Sequence, residues 1–151
     1  RTIGEGNDLG LIEDSKSDDD IIVKGEFHLV KGEPVQFKFR SRDVIHSAYM
    51  PHFRAQMNCV PGMETMFEFT PTITTAEMRE KLNNPEFNYV LLCNKICGAA
   101  HYNMQMDIIV ETKEEHAKWL AEQKTWAQTK AASIQTATIN QESTATATLD
   151  K

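Results

Sequence analysis

The chain has 151 residues, of which 40% are hydrophobic and 25% are charged, a composition typical of one globular domain. Its formal net charge of −6 argues against nucleic acid as a partner, because polyanions bind basic surfaces. The sequence holds no run of about 18 apolar residues, so we predict no membrane-spanning helix within it. Because the sequence begins at Arg1 rather than Met, we expect any targeting segment or membrane anchor to lie outside it.

Acidic residues are concentrated at the start of the chain. Residues 1–30 contain eight acidic and three basic side chains, and residues 1–20 are rich in Gly and Asp with little hydrophobic periodicity. We therefore predict an acidic linker or loop over 1–20. The acidic excess would attract a basic partner, although acidic runs are also common in solvated loops, and composition alone leaves both interpretations open.

Five hydrophobic segments predict the strands of a β-rich domain over 21–111. Val35, Phe37 and Phe39 alternate with polar residues, which is the pattern of a half-buried strand. Phe67 and Phe69 repeat this alternation, and residues 89–93 form a short apolar run that predicts a buried strand. The predicted strands cover 21–30, 35–40, 65–70, 89–93 and 106–110.

Two capping boxes predict the starts of two helices. In the first, Thr74 is followed three residues later by Glu77, and in the second, Thr112 is followed by Glu115. The final segment is rich in Thr, Ala and Ser, a composition that predicts disorder. The predicted helices cover 74–85 and 112–131, and the predicted disordered tail covers 132–151.

Two of the three cysteines lie in one short segment between predicted strands, in the pattern Cys93-x-x-x-Cys97-x-x-x-His101-x-x-Met104. Three cysteines cannot form a disulfide framework, so metal binding and reactive thiols become the leading interpretations. Soft thiolate and thioether donors together with imidazole favour copper, whereas two thiolates with two imidazoles also suit a structural zinc site. Simple packing of the cysteines is a third interpretation, and only copper gives Met104 a role.

A second histidine would be needed to complete such a site. Two thiolates held close together can bridge a pair of copper ions, and each ion then needs an imidazole. His28 lies in a predicted strand and His116 in the predicted C-terminal helix, which favours structural or solvent-exposed roles for both. His46 and His52 flank a predicted loop after the second strand, and spacing alone does not separate these two candidates.

The segments DVIHSAYMPHFRAQMNCVPG and CNKICGAAHYNM resemble the copper domain of cytochrome c oxidase subunit II. The resemblance covers about residues 21–123. It implies an all-β, cupredoxin-like fold, a Greek-key sandwich or barrel with a short inserted helix and a C-terminal helix. The residues that match the family's motifs are Asp43, Val44, His46, Ser47, Met57, Val60, Pro61, Gly62, Cys93, Cys97, Gly98, His101 and Met104.

The resemblance implies a binuclear copper centre, CuA, with two copper ions in the chain. In the family, two cysteines bridge both ions and one histidine caps each ion. A methionine sulfur and one backbone carbonyl act as weak ligands. Carried over to this chain, these ligands are, in the same order, Cys93 and Cys97, His46 and His101, Met104, and the carbonyl of Lys95.

Lys95 is also a departure from the family pattern, which usually has Glu at this position. In the family the Glu side chain reaches a Mg²⁺ ion at the contact with the catalytic subunit. An ammonium group cannot bind Mg²⁺, so the resemblance leaves a Mg²⁺ site in doubt. Cys59 and His52 fall outside the ligand pattern, and we expect Cys59 to be a small buried residue.

The resemblance also implies a function. The domain would accept electrons from cytochrome c, or from a cytochrome c domain, and pass them to haem in subunit I of an aerobic haem–copper oxidase. It would belong to an oxygen-reducing, proton-translocating enzyme complex without carrying the oxygen-reducing site or any catalytic residue. We expect contact with other oxidase subunits and a location on the periplasmic face of a bacterial inner membrane. The alternative is a structural zinc-binding or copper-carrier module.

Overall fold

The computed structural model describes residues 16–130. These residues fall into two units. One unit is Val23–Ala121, and the second contains the described residues of 16–22 and 122–130. In the smaller unit, Ile21 and Thr125 form an isolated antiparallel bridge.

Between Glu26 and Glu122 the chain contains seven strands, two α-helices and two short 3-10 turns, and residues 126–130 are also helical. The strands are β1 (Glu26–Val30), β2 (Val35–Phe39), β3 (His46–Met50), β4 (Ala55–Cys59), β5 (Thr65–Phe69), β6 (Tyr89–Cys93) and β7 (Gln105–Glu111). The helices are α1 (Thr75–Leu82) and α2 (Lys113–Glu122), and the 3-10 turns are Pro51–Phe53 and His101–Asn103.

Five of the strands form one sheet, in the order β1-β7-β6-β3-β4. β1 runs parallel to β7, and the other neighbours in this sheet are antiparallel. β2 and β5 form a separate antiparallel pair, in which Phe37 lies opposite Phe67. The alternating pattern of β2 is therefore explained by one buried and one exposed face.

The hydrophobic core lies against the larger sheet and is closed by aromatic residues of the β2–β5 pair. The buried core residues are Leu29, Met50, Ala55, Tyr89, Ile108 and Val110. Partly buried phenylalanines pack against them, including Phe37, Phe39, Phe67 and Phe69. The predicted all-β class, with one helix between β5 and β6 and another after β7, is confirmed.

Both predicted capping boxes are present. Thr74 Oγ1 accepts a hydrogen bond from the Glu77 N–H at 3.1 Å, and Glu77 Oε2 accepts one from the Thr74 N–H at 2.8 Å. Thr112 and Glu115 make the same reciprocal pair, at 3.3 and 2.9 Å. Each box satisfies backbone donors that the first turn of a helix leaves free.

The segment around His46 is a β-hairpin rather than the predicted loop. β3 pairs with β4 from His46 opposite Cys59 to Met50 opposite Ala55. The 3-10 turn after Met50 reverses the chain, and Arg54 completes the reversal in the left-handed conformation with φ of 53°. β3 escaped prediction because its burial pattern does not alternate.

Two predicted elements are shorter than expected. The strand predicted over 21–30 begins only at Glu26. Gly25, the residue before it, has a positive φ of 91°, which interrupts the extended conformation at that point. The helix predicted over 112–131 ends at Glu122. Thr125 then accepts a hydrogen bond from the Gln128 N–H and opens a separate helical turn.

The predicted tail over 132–151 lies outside the described residues, as does most of the predicted linker over 1–20. Among the helices of residues 16–130, none combines the length and the apolar character that crossing a membrane requires.

Candidate metal centre

The strand pairing places two of the predicted ligands at the same end of the larger sheet. β3 and β6 are antiparallel, with Ala48 paired to Cys93. His46 is the first residue of β3 and Cys93 the last residue of β6, so the two side chains meet. His46 Nδ1 lies 3.9 Å from Cys93 Sγ.

The segment between β6 and β7 carries the other predicted ligands. The N–H of Cys93 donates a hydrogen bond to the carbonyl of Met104 at 3.0 Å, which closes the segment at its base. Within it, Gly98 has a φ of 141°, which residues with side chains rarely adopt, and its carbonyl accepts from the His101 N–H. This turn brings His101 Nδ1 to 3.4 Å from Cys97 Sγ.

The two sulfur atoms lie at the centre of the cluster. Cys93 Sγ and Cys97 Sγ are 3.8 Å apart, and both cysteines are free thiols. Each sulfur has one imidazole nitrogen beside it, from His46 for Cys93 and from His101 for Cys97. The arrangement is therefore a pair of thiols flanked by a pair of imidazoles.

Each sulfur also has a weaker donor atom nearby. Met104 Sδ lies 3.4 Å from Cys97 Sγ. The carbonyl oxygen of Lys95 lies 3.3 Å from Cys93 Sγ, while the Lys95 side chain is exposed. The structure therefore brings together all six residues that the sequence predicted as ligands.

The two thiols differ in acidity. Burial acts to raise the pKa of Cys93, but hydrogen bonds from the Ser47 and Lys95 backbone, and from both imidazoles, lower this pKa to about 6. Burial, and then the neighbouring Cys93 sulfur, raise the pKa of Cys97. One thiolate is thus available near neutral pH, and a bound cation would displace the proton of the other.

Asp43 holds the second ring nitrogen of His46. Its Oδ1 atom lies 2.8 Å from His46 Nε2. This hydrogen bond lowers the pKa of Asp43 to about 2 and raises the pKa of His46. Because the carboxylate favours a proton on Nε2, Nδ1 is the nitrogen left for a metal. Asp43 had no predicted role of its own, and the signal for it in the sequence is an acidic residue three positions before a candidate ligand histidine.

His52 and Cys59 lie outside the cluster. The His52 ring packs edge-on against Phe87, with 5.0 Å between ring centroids, and burial lowers the pKa of His52. The geometry therefore favours His46 over His52 as the second histidine. Cys59 is half-buried opposite His46 on β4, and burial raises the pKa of its thiol.

Apolar side chains border the cluster on one side. A cavity of about 350 Å³ adjoins the donor atoms of the site. Such surroundings limit access of water and strengthen electrostatic interactions between the donors and a bound ion. The apolar residues that line this cavity include Phe39, Leu91, Leu92 and Met106.

The donor set fits a soft metal. Among residues 16–130, one group of His, Cys and acidic residues has donor atoms all within 4.8 Å of one another, and its members are His46, Cys93 and Cys97. Thiolate, thioether and imidazole favour copper or zinc over Mg²⁺ or Ca²⁺. Sulfurs 3.8 Å apart can both contact one ion at about 2.3 Å, the usual zinc–sulfur length.

An all-β fold with thiol, imidazole and thioether donors at one end of its larger sheet defines a domain of the cupredoxin class whose donors could hold a metal ion. The structure is similar to the periplasmic domain of subunit II of cytochrome oxidase from Bradyrhizobium japonicum, with a TM-score of 0.54 and 22% identity over 67% of this chain and 64% of that one. A mixed disulfide of a thioredoxin-like protein with this type of subunit gives a TM-score of 0.50 at 21% identity, over 70% of this chain and 63% of that one. These likenesses confirm the predicted fold.

Sequence relatives identify the family. Alternative cytochrome c oxidase subunit 2 of Bradyrhizobium diazoefficiens is 40% identical over 129 residues, which are 84% of this chain and 42% of the relative. Cytochrome c oxidase subunit 2 of Thermostichus vulcanus is 34% identical over 99 residues, 65% of this chain and 26% of the relative. No family profile matches the chain. The chain belongs to the cytochrome c oxidase subunit 2 family, as its motifs predicted, and spans less than half the length of these two relatives.

Proposed function

We propose that this chain is the electron-entry domain of a haem–copper oxidase and that it carries a binuclear copper centre of the CuA type. The observation that carries the proposal is the pair of sulfurs, 3.8 Å apart, with one imidazole nitrogen beside each. Two thiolates at this separation can be shared between two ions, which a single thiolate with one histidine cannot achieve. The names of the sequence relatives support the same function.

The six clustered residues would divide into strong and weak ligands. Cys93 and Cys97 would bridge both ions, while His46 and His101 would bind one ion each. Met104 Sδ and the Lys95 carbonyl would be weak ligands, one to each ion. When bound, a copper pair of this kind takes up and releases one electron at a time and spreads the charge over two ions.

The chain itself holds the donor atoms in place. The hydrogen-bonded strands β3 and β6 anchor His46 and Cys93. The hydrogen bond from the Cys93 N–H to the Met104 carbonyl fixes the segment between Cys93 and Met104. Asp43 fixes the ring orientation of His46. Because these contacts are independent of the charge at the site, the donors need to move little when an electron arrives or leaves.

The partners and the location belong to the same proposal. The electron donor is cytochrome c or a cytochrome c domain, and the acceptor is haem in subunit I of an oxygen-reducing, proton-translocating oxidase, assembled with other subunits. The described periplasmic domain of the Bradyrhizobium japonicum protein supports a location on the periplasmic face of a bacterial inner membrane. We further propose that no Mg²⁺ is held through the side chain of Lys95, because an ammonium group offers only donors.

A structural zinc or copper-carrier module is the second candidate function. The observation in its favour is that two thiols and two imidazoles also make a complete tetrahedral set for zinc. In that function, however, the Met104 sulfur would have no role, although it lies only 3.4 Å from Cys97 Sγ. The thioether therefore favours copper.

Metal analysis and electron paramagnetic resonance of the full chain after copper reconstitution test the proposal. We expect two copper ions in the chain, a purple colour and a multi-line signal from an electron shared between both ions. One zinc and no copper after reconstitution would show the structural module instead. One copper with a single-ion signal would favour the carrier.

A further inference from the structure

A cavity of about 270 Å³ lies at the end of β3 and β6 that is opposite the metal cluster. β3 runs from His46 at the cluster to Met50, and β6 runs from Tyr89 to Cys93 at the cluster. The cavity lies beside Tyr89 and the 3-10 turn that follows Met50, and we call it the far-end cavity. It shares no lining residue with the cluster, so ligand binding there would not rest on the proposed function.

The floor of the far-end cavity is apolar and largely aromatic. The ring of Phe53 stacks on both Phe69 and Tyr89, with 4.6 and 4.7 Å between ring centroids. Ile73 and Met78 also line the cavity, and all five side chains are half-buried or buried. The Tyr89 hydroxyl already donates a hydrogen bond to the Ile73 carbonyl at 3.0 Å. The side chains of this floor therefore offer a ligand apolar contact rather than hydrogen bonds.

The rim of the cavity is polar. The more exposed residues that line it include His52, Arg54, Thr70 and Thr72. Partial burial lowers the pKa of His52, so its ring is neutral at pH 7 and Arg54 supplies the charge of the rim. No acidic side chain of residues 16–130 lines the cavity. The rim thus combines hydroxyl donors with one positive charge, which favours an anion.

Arg54 is free to bind a ligand. Within the described part of the chain, no hydrogen bond or ion pair engages its guanidinium group. Its backbone is left-handed, with a φ of 53°, a conformation that Gly or Asn adopts at lower cost. The turn itself therefore does not require an arginine. A free guanidinium presents a planar fork of N–H donors that matches a carboxylate.

We infer that the far-end cavity binds a small aromatic carboxylate. The ring of this ligand packs on the apolar floor, and its carboxylate pairs with Arg54 at the rim. Drug-sized ligands occupy about 300–1,000 Å³, so the smaller far-end cavity fits a single ring with a short acidic group. A phosphate dianion matches the rim less well, because the rim supplies one cation rather than two.

Titration of the full chain with three probes tests the inference. Benzoate carries both the ring and the charge, benzamide carries the ring without the charge, and acetate carries the charge without the ring. We expect benzoate to bind about tenfold more tightly than either of the others, because ring burial and the charge-assisted pair both contribute to its affinity. NMR titration measures the three affinities. Nuclear Overhauser contacts between the benzoate ring protons and the Met78 methyl group locate the ligand.

Substitution of Arg54 separates the charge from the apolar contact. Arg54→Gln should lower the affinity for benzoate about tenfold and leave the affinity for benzamide unchanged. Arg54→Lys should have an intermediate affinity for benzoate, because the positive charge remains but the planar fork is lost. Lys118→Gln, which removes one positive charge from α2, is the matched control and should bind benzoate like the unmodified chain.

Several results would overturn the inference. The absence of saturable benzoate binding would do so, and equal affinities for benzoate and benzamide would show that the charge is not recognised. Binding without Overhauser contacts to Met78 would place the ligand elsewhere. Equal losses in Arg54→Gln and Lys118→Gln would show that net charge, rather than this cavity, attracts the anion.

The copper signal keeps this inference separate from the proposed function. A chain that has the two-copper signal but does not bind benzoate refutes the ligand site alone. A chain that binds benzoate but lacks the two-copper signal after reconstitution refutes the proposed function alone.

Discussion

Two histidines of the larger sheet each contact a carboxylate, but with opposite ring nitrogens. His46 uses Nε2 for Asp43, at 2.8 Å, and turns Nδ1 toward the sulfur of Cys93. His28, in β1, uses Nδ1 for Glu111, also at 2.8 Å. Nδ1 therefore faces a thiol in His46, whereas in His28 the same nitrogen contacts a carboxylate.

The surroundings of the two rings differ as well. His28 is only 10% exposed and stacks on Trp119 of α2, with 4.2 Å between ring centroids and 11° between ring planes. His46 instead faces a cluster of donor atoms at the site. A carboxylate can fix one ring nitrogen of any histidine. The histidine can then act as a metal ligand only if its other ring nitrogen faces further metal-binding atoms. At His28 the carboxylate contact joins the neighbouring strands β1 and β7, and the stacking on Trp119 packs α2 against the sheet.

The largest expected effect follows from removing one of the two thiolates proposed to bind copper. Cys93→Ser or Cys97→Ser should abolish the mixed-valence signal, because one remaining thiolate cannot bridge two ions as the pair does. Cys59→Ser is the matched control and should retain the signal, since Cys59 lies outside the cluster. Electron paramagnetic resonance and copper content measure both. Loss of the signal in Cys59→Ser would show that the third cysteine has been assigned wrongly.

Removing each histidine in turn tests the comparison directly. His46→Ala should lose most of the bound copper, because one ion would have no imidazole. His28→Ala should keep the copper signal but lower the free energy of unfolding by about 1–3 kcal/mol, because it leaves the half-buried Glu111 carboxylate without its partner. Urea unfolding and copper content separate the two effects. If His28→Ala also lost copper, the two regions would not be independent.

Local spacing in the sequence predicted one half of this site, and strand pairing determined the other half. Cys93, Cys97, His101 and Met104 are close in sequence, so their spacing alone indicated a metal loop. Without the family resemblance, His46 can be distinguished from His52 only through the pairing of β3 with β6. This pairing joins residues about 45 positions apart, and local sequence patterns do not reveal such contacts.

The fold shows the same limit. Both helix starts were predicted, because a capping box is a local interaction. The end of α2 at Glu122 was not, because the helical composition continues beyond it and Thr125 opens a new turn there. The hairpin of β3 and β4 was missed because its buried positions follow tertiary packing rather than an alternating pattern.

A smaller effect is expected from Met104, a weak donor within the same cluster. Met104→Leu should keep both copper ions bound, because the thiolates and imidazoles remain. Loss of a donor sulfur destabilises the oxidised state, so the reduction potential should rise, by up to about 59 mV for a tenfold change in relative affinity. Redox titration of the visible absorption measures the shift. Complete loss of copper would contradict the weak-ligand role.

The smallest effect concerns Glu77, an exposed carboxylate that stabilises structure as Glu111 does, but without burial. It accepts hydrogen bonds from Lys31 Nζ at 2.5 Å and from the Thr74 N–H at 2.8 Å. The Lys31 contact, and then the backbone hydrogen bond, lower the pKa of Glu77 below its ordinary value of 4.5. The contribution to stability is therefore fully present above pH 4.5 and is lost as the pH falls through the lowered pKa.

Glu77→Gln should therefore be slightly less stable than the unmodified chain at pH 7, and the difference should shrink below pH 4.5. Solvent screening keeps the effect small, because the carboxylate is exposed. Urea midpoints at several pH values measure the difference, with Glu80→Gln on the same helix as the control. A difference that stayed constant from pH 7 to about pH 3 would mean that the charge of Glu77 contributes nothing, and that only the shape of its side chain supports the cap.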